Sequence, residues 1–171
     1  MRRQPLIVRA VAAEAALLSA GLLVLVLAPV RPPSRHLPTI TACAAGAGGG
    51  LLLFAVLART LRPPRLDLAL ARTVPLLLAR AGAEECLWRW GLLLGLAPAL
   101  GAAGATTLSS AAFAAAHGLR QTRRELALRS GIGATFALLF VTTGRLVAAV
   151  TAHAVYNTLV CGASSPSREP S

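Results

Sequence analysis

Long apolar segments dominate this chain and restrict the folds that it can adopt. Of its 171 residues, 56% are hydrophobic and the mean hydropathy is +0.67, whereas about 45–50% of the residues in a soluble domain are apolar. Only 13% of the residues are charged, and the charges are clustered between the apolar segments. These features predict an all-α, polytopic membrane helix bundle.

The apolar segments give the predicted bundle about six transmembrane helices, with a tight turn at residues 101–105. The segments are residues 10–30, 39–58, 84–98, 106–118, 131–144 and 146–161. The last four are shorter than the ~20 residues that span a bilayer, so we expect tilted helices or a locally thinned membrane. The basic start of the chain is similar to a signal peptide. However, its apolar run is longer than that of a typical signal peptide, and Glu14 interrupts the start of the run. A first transmembrane helix is therefore favoured over a cleaved signal peptide.

All 17 basic residues are arginines, and the net charge is +11. Basic patches can bind nucleic acid, but these arginines flank apolar segments, as topology determinants and lipid-headgroup contacts do. With the N-terminus in the cytoplasm, thirteen arginines fall inside, only Arg31, Arg35 and Arg145 fall outside, and Arg89 lies within a helix. The positive-inside rule therefore predicts that both termini are cytoplasmic. We expect an integral protein of a bacterial inner membrane whose partner is the lipid bilayer and not nucleic acid.

Polar side chains interrupt three of the apolar segments at regular spacing. The three motifs are Glu84-Glu85-x-x-x-Arg89, Phe113-x-x-x-His117 and His153-x-x-x-Asn157. Residues four apart lie on one face of a helix, and ionisable groups at membrane depth are costly and mark functional sites. The predicted topology brings all three motifs into the cytoplasmic half of the bundle. Two histidines, a carboxylate pair and an amide can together form a hydrolytic centre.

Each motif taken alone also has a structural interpretation. Glu85 and Arg89 can form a salt bridge within one helix. Glu84 points about 100° away from Glu85 and is left to face a pocket, where it could act as a general base. His117 at a helix end gains from the helix dipole, and a mid-helix polar residue such as His153 can hydrogen-bond to a neighbouring helix.

The order and spacing of the motifs resemble those of a known family. This family comprises the type II CAAX prenyl endopeptidases and their bacterial relatives, the CPBP or Abi intramembrane proteases. The resemblance covers about residues 80–160, and the matching residues are Glu84, Glu85, Trp88, Arg89, Phe113, His117, His153 and Asn157. One departure is that Trp90 precedes Gly91, where the family often has glycine directly after the arginine.

The resemblance implies a glutamic-type intramembrane endopeptidase that cleaves a membrane-associated or lipidated protein or peptide. Glu84 and His117 would activate a water molecule, while His153 and Asn157 would stabilise the oxyanion. Three further residues would support the site: Glu85, Arg89 and Phe113. On this basis residues 73–162 form a protease core. It follows two N-terminal helices with a basic loop, 1–72, and precedes a disordered tail, 163–171.

Three alternatives remain open. Glu84, His117 and His153 could ligate zinc, with water as the fourth ligand. However, the chain lacks an HExxH motif and its cysteines lack C-x-x-C spacing, so a site without a cofactor is favoured. A non-catalytic scaffold or immunity protein on the same fold would have no need of Glu84. A transporter would require polar groups in both halves of the bundle. The first two predicted helices carry few polar groups beyond Glu14, so this alternative is disfavoured.

Overall fold

The structure, a computed structural model, is almost entirely helical wherever it describes the chain. It describes residues 16–17, 19–21, 23, 36–57, 63–65, 67–117 and 122–164. Its helices are α1 (Thr39–Leu57), α2 (Leu68–Glu85), a π-helical segment (Cys86–Leu93), α3 (Leu94–Ala116), α4 (Arg123–Thr143) and α5 (Leu146–Ser164). The described ranges contain no strand, so the predicted all-α class is confirmed.

Four helical runs among the described residues are long and apolar enough to cross a membrane. They are Thr39–Leu57, Leu68–Ala116, Arg123–Thr143 and Leu146–Ser164. Large apolar side chains such as Ile40, Leu52 and Leu68 are exposed on them, as lipid-facing helices require. The predicted count of six spanning helices is not confirmed. The first predicted helix, 10–30, lies largely outside the described residues, as does most of the predicted tail.

Helix α2 begins well before the position that the sequence predicts. The sequence predicts a helix starting at Glu84, and this is wrong, because α2 starts at Leu68. Asp67 caps α2 and accepts a hydrogen bond from the Leu70 N–H at 2.8 Å, as an N-cap carboxylate does. Glu84 and Glu85 therefore lie at the end of an 18-residue helix, inside the bundle, and not at a solvated helix start.

The chain reverses direction at Gly101. Its φ of +68° lies in the left-handed region that favours glycine and interrupts the helical backbone of α3. A straight helix would separate Arg89 and Ser109 by about 30 Å at 1.5 Å per residue, yet their side chains are 2.9 Å apart. The second part of α3 therefore runs back along the π-helical segment. The chain reverses at the start of the predicted turn 101–105, but the break is confined to Gly101 and residues 102–105 are helical.

Helix α4 also starts earlier than predicted. The sequence predicts a segment that starts at residue 131, but the helix begins at Arg123. Thr122 accepts a hydrogen bond from the Glu125 N–H at 3.2 Å, and the Glu125 carboxylate accepts one from the Thr122 N–H at 2.8 Å. This reciprocal capping box fixes the start of the helix. The end of α4 and the start of α5 agree with the predicted bounds to within one residue.

Helix α5 is the central helix of the bundle and packs on α1, α2 and α4. Its contact with α1 depends on glycine, because a Cβ at Gly46 or Gly50 would collide with the carbonyls of Ala148 and Ala152. Small residues of this kind allow two helix backbones to approach closely. This packing directs the face of α5 that carries His153 towards α2 and α3.

Candidate active site

Glu84 lies at the centre of the candidate site, in the last turn of α2, and is 4% exposed. Its Oε1 accepts a hydrogen bond from Arg80 Nε at 3.0 Å. Its Oε2 lies 3.6 Å from His117 Nε2 and 3.8 Å from His153 Nε2. Within the described part of the chain this buried oxygen has no hydrogen-bond partner. Because an unpaired buried acceptor is costly, Glu84 Oε2 is the best candidate in the site for binding a reacting group.

Both histidines present Nε2 to Glu84 because their Nδ1 atoms are already bonded. His117 Nδ1 donates to the Phe113 carbonyl at 2.7 Å, since a carbonyl oxygen can only accept. With the proton of this tautomer on Nδ1, Nε2 of His117 can act as an acceptor. His153 Nδ1 lies 2.8 Å from Glu85 Oε1, and the ion-paired Glu85 carboxylate accepts a hydrogen bond from the Nδ1–H group. A partner on the second ring nitrogen fixes the orientation of each imidazole.

Glu85 joins the first and third motifs. It is fully buried and pairs with the equally buried Arg89, with 2.8 Å between Nε and Oε2, so the predicted ion pair is confirmed. Its other oxygen contacts His153, a partner that the sequence analysis does not predict. Arg89 is held further by Ser109, which lies 2.9 Å from Nη1. A buried ion pair needs such additional hydrogen bonds to offset its desolvation.

Phe113 contacts both histidines with its ring and binds His117 with its carbonyl as well. Its ring centroid lies 4.4 Å from that of His117 and 5.9 Å from that of His153. Phe136 stacks on His153 with a centroid separation of 4.7 Å. A Cβ at Gly133 would come within 3.0 Å of the Phe113 ring. The predicted supporting position of Phe113 therefore corresponds to a packed aromatic wall behind the imidazoles.

A cavity of about 430 Å³ opens onto these groups. Glu84, His117, His153 and Asn157 all line it, together with apolar side chains such as Ile132. A second cavity of about 270 Å³ also has Glu84 and His117 on its wall. The structure thus brings the four predicted catalytic side chains to one cavity. Two of the four, Glu84 and His117, also line the second cavity.

Two further polar contacts of the site are absent from the sequence analysis. Arg80 is assigned there to the cytoplasmic arginines, yet its side chain pairs with Glu84. The i, i+4 spacing of these two residues was a signal that could have identified the pair. Ser109 has no comparable signal, because small hydroxyl residues are common in apolar helices. His36, which has no predicted role, binds the Gly144 carbonyl at 2.7 Å, away from the cavity.

Metal binding at this site would involve Glu84 Oε2 and the Nε2 atoms of His117 and His153. Carboxylate oxygens and imidazole nitrogens are zinc-type donors. However, in the ranges that the structure describes, no three His, Cys, Asp or Glu side chains are arranged as a metal site. The guanidinium of Arg80 also supplies a positive charge to Glu84. The centre without a cofactor stays a prediction, and these groups are the ones that a metal would use.

Comparison with known proteins identifies a family for this chain. A family model described as type II CAAX prenyl endopeptidase Rce1-like matches residues 66–159. The match covers more than half of the chain and includes all three polar motifs. The chain belongs to this Rce1-like family. No curated protein and no solved structure matches it significantly. Membership of this family, with four apolar helical runs, identifies an integral membrane protein and implies a protease acting on membrane-associated substrates.

Proposed function

We propose that this protein is a glutamic-type intramembrane endopeptidase in which Glu84 and His117 activate a water molecule. The observation that carries this proposal is the state of Glu84 Oε2. It is buried, has no hydrogen-bond partner in the described ranges, and lies 3.6 and 3.8 Å from two imidazole nitrogens. A carboxylate oxygen held in this way suits a general base, which must be within reach of the proton that it removes.

The first step is attack by water on the scissile carbonyl. A water molecule between Glu84 Oε2 and His117 Nε2 donates a hydrogen bond to each of these two acceptors. Glu84 takes one proton, the water oxygen forms a bond to the carbonyl carbon, and the π electron pair of the carbonyl moves to its oxygen. The separation of 3.6 Å between the two acceptors leaves them free to bind one water molecule jointly.

The second part of the site stabilises the resulting oxyanion. His153 and Asn157 lie one helical turn apart on α5 and line the same cavity. Asn157 donates from its amide NH2 group. His153 donates from Nε2 when both ring nitrogens carry protons, and the Glu85 carboxylate at 2.8 Å balances the charge of the ring. Removal of one oxyanion donor typically costs about 2.7–4 kcal/mol of transition-state stabilisation.

Collapse of the intermediate completes the hydrolysis. The carbon–nitrogen bond breaks, and the leaving amine takes the proton that Glu84 holds. The products are a new carboxylic acid and a free amine, which exchange a proton to give a carboxylate and an ammonium group, and the site returns to its starting state. Each step uses only water and the side chains of this chain, so the proposed reaction needs no cofactor.

The proposed substrate is a membrane-associated or lipidated protein or peptide that enters from the cytoplasmic side. The apolar wall of the cavity, which includes Leu77, Ile132 and Val160, suits apolar groups beside the scissile bond. The excess of arginines on one side of the membrane supports a bacterial inner-membrane protein with both termini in the cytoplasm. A zinc-dependent version of the same protease is the alternative, favoured by the convergence of two imidazoles on one carboxylate.

The proposal is tested with purified full-length protein in detergent and a panel of quenched fluorogenic membrane peptides. Glu84→Gln removes the base and keeps the shape of the side chain, so we expect kcat to fall by about 10²- to 10⁴-fold. The matched control is Glu125→Gln, an exposed position in a capping box that also accepts glutamine. We expect that control to retain wild-type activity. Full activity in Glu84→Gln would contradict the assignment.

A further inference from the structure

We propose that Ser109 is a positioning residue of this site, which acts on His153 through Arg89 and Glu85. This inference rests on the function proposed above and adds a residue to it. Ser109 lies in α3 beyond the reversal at Gly101, opposite the π-helical segment, and is 0% exposed. It is not among the residues that line the main cavity, so it influences the reaction only through other side chains.

The Ser109 hydroxyl forms two hydrogen bonds to the π-helical segment. It donates to the Trp88 carbonyl at 2.7 Å and accepts from Arg89 Nη1 at 2.9 Å. The single hydroxyl proton is thus committed to the backbone, and a lone pair of the oxygen is directed at the guanidinium. Because π-helical turns are uncommon and occur mostly at functional sites, a hydroxyl that binds two successive residues of this segment fixes its position relative to α3.

Arg89 transmits this constraint to the reacting groups. Its Nε donates to Glu85 Oε2 at 2.8 Å, and Glu85 Oε1 contacts His153 Nδ1 at 2.8 Å. The guanidinium is planar, so contacts at both Nε and Nη1 define its orientation. Without Ser109, the remaining contacts are the ion pair and the Phe113 ring, 5.5 Å from the Arg89 carbon Cζ. Arg89 could then tilt, and the Glu85 carboxylate and the His153 ring would move with it.

The neighbouring residue supplies a matched control. Ser110 is also buried, at 3% exposed, and its hydroxyl donates to the Thr106 carbonyl of its own helix at 2.7 Å. Ser110→Ala and Ser109→Ala therefore delete the same atom and one or more buried hydrogen bonds at adjacent positions. Only the Ser109 substitution interrupts the connection to Arg89, Glu85 and His153.

The experiment measures kcat and KM for full-length wild type, Ser109→Ala and Ser110→Ala in detergent with one fluorogenic peptide. We expect Ser109→Ala to lower kcat by about 10- to 100-fold, as loss of a residue that orients a site histidine does. KM should stay within about twofold, because a residue that acts only in the transition state changes kcat alone. Ser110→Ala should retain kcat within about twofold. Equal kcat values for the two variants, or a change in KM alone, would overturn the proposal.

Two further arms separate the possible causes of failure. Thermal unfolding of both alanine variants establishes whether a fall in kcat exceeds what lost stability explains. If Ser109→Ala does not fold, Ser109→Cys takes its place. The thiol is a weak hydrogen-bonding group, so this variant should also have a lower kcat than wild type. Wild-type kcat in a folded Ser109→Cys would then refute the positioning role of Ser109.

The Glu84→Gln variant separates a failure of this proposal from a failure of the proposed function. A wild type that cleaves no peptide, or a fully active Glu84→Gln, refutes both the protease and the positioning role. An inactive Glu84→Gln together with a fully active Ser109→Ala refutes only the positioning role.

Discussion

Two polar clusters at different places in the bundle contain similar residue types but use them differently. The site cluster consists of Glu84, Glu85, Arg89, His117 and His153. The turn cluster lies where α4 meets α5 and consists of His36, Leu37, Thr143, Gly144 and Arg145. Each contains histidine and arginine. In the turn cluster the polar side chains bind backbone carbonyls: His36 Nδ1 binds Gly144 O at 2.7 Å, and Arg145 Nε binds Leu37 O at 2.9 Å.

In the site cluster the charged side chains bind one another, and one acceptor is left over. Glu85 is satisfied by Arg89 and His153, whereas Glu84 Oε2 has no hydrogen-bond partner in the described ranges. A histidine that stabilises a turn needs only a carbonyl partner. A histidine that takes part in chemistry must face a group that is still able to react. This difference, and not the presence of histidine in an apolar chain, distinguishes the two clusters.

The largest expected difference in stability between the clusters concerns their arginines. Arg89→Met leaves the Glu85 carboxylate buried without its cation, which typically costs about 3–5 kcal/mol of unfolding free energy. Arg145→Met, the matched substitution in the turn cluster, removes a partly exposed hydrogen bond to a carbonyl and should cost about 1 kcal/mol. Unfolding in mixed detergent micelles, followed by tryptophan fluorescence, measures both. Equal losses would mean that the buried ion pair contributes no more than a turn contact.

A smaller effect, on activity alone, is expected when the histidine of each cluster is replaced by alanine. His117→Ala removes the imidazole that shares the attacking water with Glu84, so kcat should fall by about 100-fold, within the range for a proton-transfer residue. His36→Ala removes only the contact with Gly144 and should leave kcat within about twofold of wild type. The fluorogenic peptide assay compares the two variants directly. Similar activity in both would remove the distinction between the site cluster and the turn cluster.

The residues of the site were largely predictable because their spacing is local. Side chains four residues apart on a helix share one face, so each motif could be assigned a common direction from the sequence alone. The order and spacing of the motifs then indicated the family, and family membership is confirmed by the match over 66–159. The side chains of Glu84, His117, His153 and Asn157 do line one cavity. Their catalytic roles stay predictions until variants are measured.

Contacts between helices were not predictable in the same way. The bond between Glu85 and His153 joins residues 68 positions apart, and it depends on how α2 and α5 pack. The contact between Ser109 and Arg89 depends on the reversal at Gly101. No local pattern encodes either distance. The early starts of α2 and α4 are a different case, because Asp67 and the Thr122–Glu125 capping box are local signals that the sequence already contains.

The smallest expected effect is that of metal removal, which should change nothing. The distances from Glu84 Oε2 to the two Nε2 atoms, 3.6 and 3.8 Å, are close to the roughly 3.3 Å that separates ligands around tetrahedral zinc, so these two distances alone do not distinguish zinc from water, although no three His, Cys, Asp or Glu side chains in the described ranges are arranged as a metal site. The charges do distinguish the two: Arg80 already supplies a cation 3.0 Å from the other oxygen of Glu84, and a divalent ion beside it would be repelled.

We therefore expect protein treated with a chelator, and shown by metal analysis to be free of zinc, to retain activity within about twofold. A zinc protease in the same buffer should lose its activity and so controls for the chelator. Loss of activity that stoichiometric zinc restores would show instead that zinc, bound by Glu84 and the two histidines, activates the water.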